Sequence, residues 1–177
     1  YEHTGTPVHP MTPLCKLLWL KENGRAVFTQ AARFISIKEY LFYRLFGKYL
    51  VDHSVASGTG LFDIRKRGWY QESLNLAGIS KEQLSEPVPT THIVRGLDAA
   101  MAKRLNIEEE LPFVIGASDG CLANMGSNAI NPGDMSVTIG TSGAVRMISD
   151  EPKVDRQQRT FNYILTEKIY VAGGRPP

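Results

Sequence analysis

The sequence predicts an α/β protein in two unequal parts, helix-rich over 1–133 and hairpin-rich over 134–177. Three observations predict it. Apolar residues recur at helical spacing through the first two thirds of the chain. Phe113-Val-Ile-Gly-Ala117 is then a continuous apolar run, the pattern of a strand covered on both faces, and it leads into Ser118-Asp-Gly120. Beyond the turn signal Asn131-Pro-Gly-Asp134 the apolar period changes to two.

Taken in order, Thr12 and Pro13 have the character of an N-cap and a first helical residue, Leu14, Leu17 and Leu18 make an apolar stripe, and Gly24 closes the helix. Phe34-Ile-Ser-Ile37 is a short strand candidate running into a helix over Lys38–Phe46. That helix is apolar around most of its circumference and is expected between layers, with Gly47 as its stop. A further helix is expected over Trp69–Ala77, ended by Gly78. Ser80-Lys-Glu-Gln83 has the spacing of a capping box, and residues 97–106 form another amphipathic helix. Small residues over Cys121–Asn128 allow a helix directly after Asp119-Gly120. Met135–Ile139 and Ala144–Ile148 alternate with period two around Gly140-Thr-Ser-Gly143 and so form a hairpin; Phe161–Leu165 and Lys168–Ala172 form a second.

Composition excludes several classes. The 177 residues are 42% hydrophobic and 21% charged, which is ordinary for a folded chain with a proper core. A net charge of +2 gives no electrostatic reason to expect nucleic acid or an anionic membrane as partner. The cluster Arg65-Lys-Arg67, flanked by Asp63, reads as a solvated turn. No apolar run approaches the roughly 20 residues that span a bilayer. Cys15 and Cys121 are far apart and lack ligand spacing, which argues against a disulfide framework or structural zinc and favours a reducing, cytoplasmic setting. The chain opens at Tyr1 without a Met and reads as a piece of something longer.

Three features could carry chemistry. Asp119 is a carboxylate delivered by a strand and backed by Gly120, which leaves room for a substrate; such a group can orient a hydroxyl and take its proton, contributing typically ~10²–10⁴ in rate. The alternative is that Asp119 simply caps the following helix. The Gly140-Thr-Ser-Gly143 loop offers successive backbone N–H groups that could cradle phosphate, or it is a polar hairpin loop without a ligand. His9, beside a helix start, could donate to a substrate hydroxyl or be a surface turn residue. The chain has no P-loop, and Gly58-Thr-Gly60 continues as Leu-Phe-Asp63, where a dinucleotide fingerprint needs glycine. The four histidines have no metal-cage spacing, so no metal-ligating set is expected.

Read together, several segments resemble the FGGY family of carbohydrate kinases. They are Gly5–Met11 with Lys16–Leu20, Phe34–Tyr40, Asp52–Asp63, Pro87–His92, Phe113–Gly120 and Val137–Ser142, and the resemblance covers nearly all of residues 5–174. It implies an RNase H-like architecture of the actin/Hsp70/sugar-kinase type. Residues 1–133 would be the later part of the N-terminal, sugar-binding domain and 134–177 the opening of the C-terminal, nucleotide-binding domain. It also implies Asp119 as general base, Gly140, Thr141 and Ser142 on the nucleotide phosphates, and ATP with Mg²⁺; His9 and Gly120 are taken near the acceptor from the local reading alone. The wording of Thr6–Met11, Ile35–Tyr40 and Pro87–His92 points within the family to D-gluconate, with xylulose or another sugar as alternative; a homodimer is left open. The family's Asp-x-Gly-Thr hairpin and adenosine pocket are not in this sequence, so the piece alone is expected to be inactive. Rival readings are a carbohydrate-binding protein on the same scaffold, and a hydrolase pairing Asp119 with Asp63.

Overall fold

The computed structural model describes residues 1–140 and 143–174. Helix α1 spans Pro13–Asn23, with Thr12 as N-cap and Gly24 as C-cap; α2 (Arg25–Gln30) follows at once. Helix α3 is Ile37–Phe46 and stops at Gly47, whose φ of 66° is the left-handed cap that glycine adopts without penalty. The expected strand at Phe34–Ile37 is absent. Ser36 is instead the N-cap of α3, closing a capping box in which Glu39 accepts the Ser36 N–H at 2.7 Å.

Helix α3 is also not buried between layers: Glu39 and Phe46 are covered, but Ile37 is 74% and Leu41 53% exposed. Its inward edge joins the first core cluster through Phe46, packed with Leu50, Val88, Val94, Leu97, Ala102 and Ile115. Strand β1 (Leu50–Asp52) runs directly into the short helix α4 (His53–Ser57). Strands β2 (Phe62–Asp63) and β3 (Gly68–Trp69) form a hairpin around the Arg65–Arg67 turn. There Asp63 Oδ1 accepts the N–H groups of Arg65 and Lys66. Helix α5 (Gln71–Ala77) begins two residues later than the pattern suggested because Trp69 belongs to β3. A short 3₁₀ turn at Lys81–Gln83 carries the expected Ser80 capping box.

Strand β4 (Glu86–Val88) lies parallel to β1, and β5 (Ile93–Val94) pairs antiparallel with β6 (Phe113–Val114). Between them α6 (Ala99–Leu105) is capped by Asp98. The continuous covered strand expected over Phe113–Ala117 is cut short. Val114 is 59% exposed, and Gly116 takes a φ of 71°, which bends the chain out of the ladder toward α7 (Asp119–Gly126).

Four strands then form one antiparallel sheet in the order β7-β8-β10-β9. They are β7 (Met135–Ile139), β8 (Gly143–Ser149), β9 (Phe161–Ile164) and β10 (Tyr170–Gly174). Both hairpins of the sequence reading are present, with Ile139 opposite Gly143 and Tyr170 opposite Ile164. One face of the sheet packs on α7, where Cys121 meets Ile148, Leu165 and Val171. On the other face Ile164 and Tyr170 join Val51, Ala56, Phe62 and Ile64, locking the sheet onto α4 and the β2–β3 hairpin. Among the described residues no helix is long and apolar enough to cross a membrane.

Candidate active site

Asp119 is the first residue of α7, exposed, with Ser118 as the N-cap. The capping alternative for Asp119 is therefore incorrect. Its Oδ1 accepts only the adjacent Gly120 N–H, at 2.6 Å, and no cation reaches ion-pair distance of the carboxylate among the described residues.

What holds this turn is a buried relay from α4. Ser54 is fully buried; its Oγ accepts the Ser118 N–H at 3.1 Å and donates to Ser118 Oγ at 3.0 Å, while lying 3.3 Å from Cys121 Sγ. Helix α4 is fixed in turn by Asp52. One of its oxygens accepts the Val55 N–H at 2.9 Å as an N-cap, and the other pairs with Lys38 Nζ of α3 at 2.5 Å. Burial pushes the Cys121 thiol up in pKa, so it serves as packing beneath α7 rather than as a nucleophile.

Beside this turn lies an open cleft of about 660 Å³. Gly143, Ala144 and Arg146 of β8, Gly173 and Gly174 of β10 and Phe161 and Tyr163 of β9 face His9, Met11 and Thr12 across it. His9 is held there: its Nδ1 accepts the Met11 N–H at 3.2 Å and its ring stands edge-on to Phe161 at 5.9 Å. A second cleft of about 520 Å³ is mostly apolar, lined by Leu17, Leu20, Phe34 and Trp69 together with Ser54 and Ser118. Gly58 and Tyr163 line both clefts. A Cβ on Gly58 would stand 2.9 Å from the Tyr163 ring, so glycine is what allows this shared wall. Burial first, then the neighbouring Cys121, raises the Tyr163 phenol to about 12, which keeps it neutral.

The expected residues are thus distributed as follows. His9 lines the larger cleft. Gly120 touches its wall, because a Cβ there would meet the Arg146 guanidinium at 2.7–2.9 Å. Gly140 is exposed just beyond the end of β7, and Thr141 and Ser142 lie outside the described residues. Asp119 itself lines neither cleft and meets the larger one only through the neighbouring Gly120, whereas Asp63 is buried and holds its own turn, so the paired-carboxylate arrangement with Asp119 has no support in the fold. Sequence reasoning missed Arg146, Ser54 and Tyr163. For Arg146 a signal existed: a lone cation in the alternating run Ala144-Val-Arg-Met-Ile148, flanked by small and apolar residues.

Residues 1–126 match the model of the FGGY family of carbohydrate kinases, N-terminal domain. The chain belongs to the FGGY family. A gluconokinase of Bacillus subtilis is 47% identical over 98% of this chain and 34% of its own length. A xylulose kinase of Lactococcus lactis is 32% identical over 90% of the chain and 32% of its own length. Among solved structures, gluconate kinase from Lactobacillus acidophilus superposes with a TM-score of 0.94 at 40% identity, over 99% of this chain and 36% of that one. The chain therefore spans about a third of the length of these FGGY relatives. Its fold is that of the FGGY sugar kinases, the actin/Hsp70-like ATPase type.

Proposed function

We propose that the complete protein is an ATP-dependent kinase of D-gluconate that forms 6-phosphogluconate and ADP, with Asp119 as general base. The observation that carries this reading is the Asp119 carboxylate itself: exposed, unpaired by any described cation, and mounted on a backbone turn that Ser54 fixes and that reaches the wall of the larger cleft through Gly120 and Arg146. Support for the acceptor comes from the likeness to the gluconokinase of Bacillus subtilis and the gluconate kinase of Lactobacillus acidophilus.

In the proposed step the primary hydroxyl of the acceptor hydrogen-bonds to Asp119. Its oxygen attacks the γ-phosphorus of ATP as the bond to the leaving ADP oxygen breaks, and the hydroxyl proton passes to the carboxylate. His9, which lines the cleft, would donate to another acceptor hydroxyl. Gly140, Thr141 and Ser142 would steady the phosphoryl group from the β7–β8 connection. The glycine backbone at Gly143, Gly173 and Gly174 leaves the cleft wall open to close approach by a phosphate. Mg²⁺, when bound with the nucleotide, neutralises charge on the phosphates. Among the described residues no group of three or more His, Cys, Asp or Glu side chains could hold a metal ion. Mg²⁺ characteristically keeps several waters and is held largely by the nucleotide phosphates, and Asp119 is left free to act as the base.

Within this reading 1–133 is the later part of the sugar-binding domain and 134–177 opens the nucleotide-binding one. A chain carrying half of that cleft cannot align an in-line transfer, so residues 1–177 alone should be inactive. Free thiols at Cys15 and Cys121 support a cytoplasmic setting.

The test is ATP-dependent phosphorylation of a panel of sugars and sugar acids by the complete protein and by its Asp119→Asn variant. D-gluconate should be the preferred acceptor, and the Asn variant should lose at least ~10²-fold in kcat with little change in substrate affinity. Preference for xylulose would move the substrate to the neutral branch of the family. Gluconate binding without phosphoryl transfer would make the protein a binding module, and an Asn variant with near-native turnover would remove Asp119 from the mechanism.

A further inference from the structure

Arg146 is built into the wall of the larger cleft in a way that nothing else in the fold explains. It occupies an inner position of β8, opposite Ser136 on β7 and Gly173 on β10. Both glycines that flank it are shaped to it. A Cβ at Gly120 would fall 2.7 Å from the Arg146 Nε, and one at Gly173 would fall 3.0 Å from its Cγ. The side chain therefore runs through a slot cut by two missing methyl groups and reaches the cleft beside the turn that carries Asp119.

Its donors are nearly idle. A guanidinium has five N–H groups. Apart from 3.3 Å to Thr138 Oγ1, the Arg146 side chain makes no hydrogen bond to a described residue, and no carboxylate among them reaches ion-pair distance. A half-buried, positioned and unpaired cation in a binding cleft calls for an anion from outside the chain.

We propose that Arg146 binds the carboxylate of the sugar-acid acceptor and so selects an acid over a neutral sugar. This rests on the kinase reading given above and deepens it. The planar fork of a guanidinium matches a carboxylate with two parallel hydrogen bonds, where a lysine would offer only a point charge. Placement supports the acceptor as the source of the anion. In D-gluconate the carboxylate is at the opposite end of the chain from the reacting hydroxyl, so its partner must stand in the same site as the base but apart from it. Arg146 meets both conditions, touching Gly120 while lying beyond ion-pair distance of Asp119. The other source of an anion is the nucleotide phosphates, and the test separates the two.

In the complete protein, Arg146→Met is compared with wild type by calorimetric titration of D-gluconate without nucleotide, and by steady-state kinetics with D-gluconate, the neutral hexitol D-glucitol and ATP. The Kd and KM for gluconate should rise about 10–100-fold, the KM for ATP and any turnover of the neutral polyol should stay within about threefold, and Arg146→Lys should recover part of the loss. A thermal melt establishes that each variant is folded. Gly120→Ala is a second route: it keeps the charge but pushes the guanidinium aside, and it should raise the gluconate KM in the same direction. A raised KM for ATP with unchanged gluconate binding would assign Arg146 to the phosphates and overturn the inference. Equal losses for acid and neutral acceptors would overturn it too. A gluconate kinase insensitive to both variants sinks this inference alone, whereas a wild-type protein that neither binds nor phosphorylates gluconate sinks the substrate reading as well.

Discussion

Ser54 Oγ lies 3.1 Å from the Ser118 backbone nitrogen and accepts its hydrogen bond across 64 residues of sequence, tying α4 to the turn that presents Asp119. Ser54 is fully buried, so the contact is shielded from water.

Ser54→Ala should therefore act on both stability and turnover. It leaves the Ser118 N–H without its partner, and a donor stranded in this way costs about 1–3 kcal/mol. With the Asp119 backbone less firmly held, kcat for the acceptor should fall several-fold to tenfold while the KM for ATP is unchanged. Urea unfolding and steady-state kinetics on the complete protein measure the two effects. A stability loss with native kcat would make Ser54 a packing residue only.

The same relay explains why the candidate site was only partly legible in the sequence. Asp119 and His9 stood out because turn and strand-end positions advertise themselves locally. Ser54 and Arg146 matter through partners 64 and 26 positions away, at Ser118 and Gly120, and no local pattern encodes such meetings. The fold was read best where punctuation is chemical, as at Thr12-Pro13 and Gly24 around α1, or around the β7–β8 hairpin. It was read worst where composition stood in for geometry. Phe34–Ile37 looks β-prone, yet the Ser36–Glu39 capping box wins and starts a helix. Phe113–Ala117 looks like a buried strand, yet Gly116 turns the chain before the ladder can lengthen. The apolar circumference of α3 promised burial, and half of it faces outward.

Further from the cleft, the Lys38–Asp52 pair is a second point where the relay can be cut. Asp52 is fully buried, whereas the Lys38 side chain keeps 27% of its exposure. Lys38→Met strips the partner from a buried carboxylate and should destabilise the complete protein by about 3 kcal/mol, the lower end for a broken buried pair because Lys38 still sees solvent. Adding Asp52→Asn removes the stranded charge while keeping an N-cap for α4, so the double variant should be more stable than Lys38→Met alone. A double variant no better than the single one would show that the Asp52 charge is not what Lys38 compensates.

The pH dependence of folding should carry a signature of His53, the first residue of α4. Its ring is half-buried and lies tilted against Phe62, with ring centroids 5.6 Å apart. Burial is the main cause that lowers its pKa from 6.5; Arg67 lowers it further, and Asp52 and Glu167 offset part of the effect. The folded state thus prefers the neutral ring. Between the unfolded and folded pKa values the unfolded chain binds more protons, so stability is full above about pH 6.5 and declines as pH falls below it. His53→Gln keeps a polar side chain that cannot titrate and should flatten this decline between pH 7 and pH 5, which urea midpoints at half-unit pH steps would show. Because Asp52 anchors α4 immediately before His53, protonation also places a cation beside the carboxylate that Lys38 neutralises. The acid sensitivity should accordingly shrink in the Lys38→Met background, where that carboxylate is free to pair with the imidazolium, and an undiminished slope there would separate His53 from the relay.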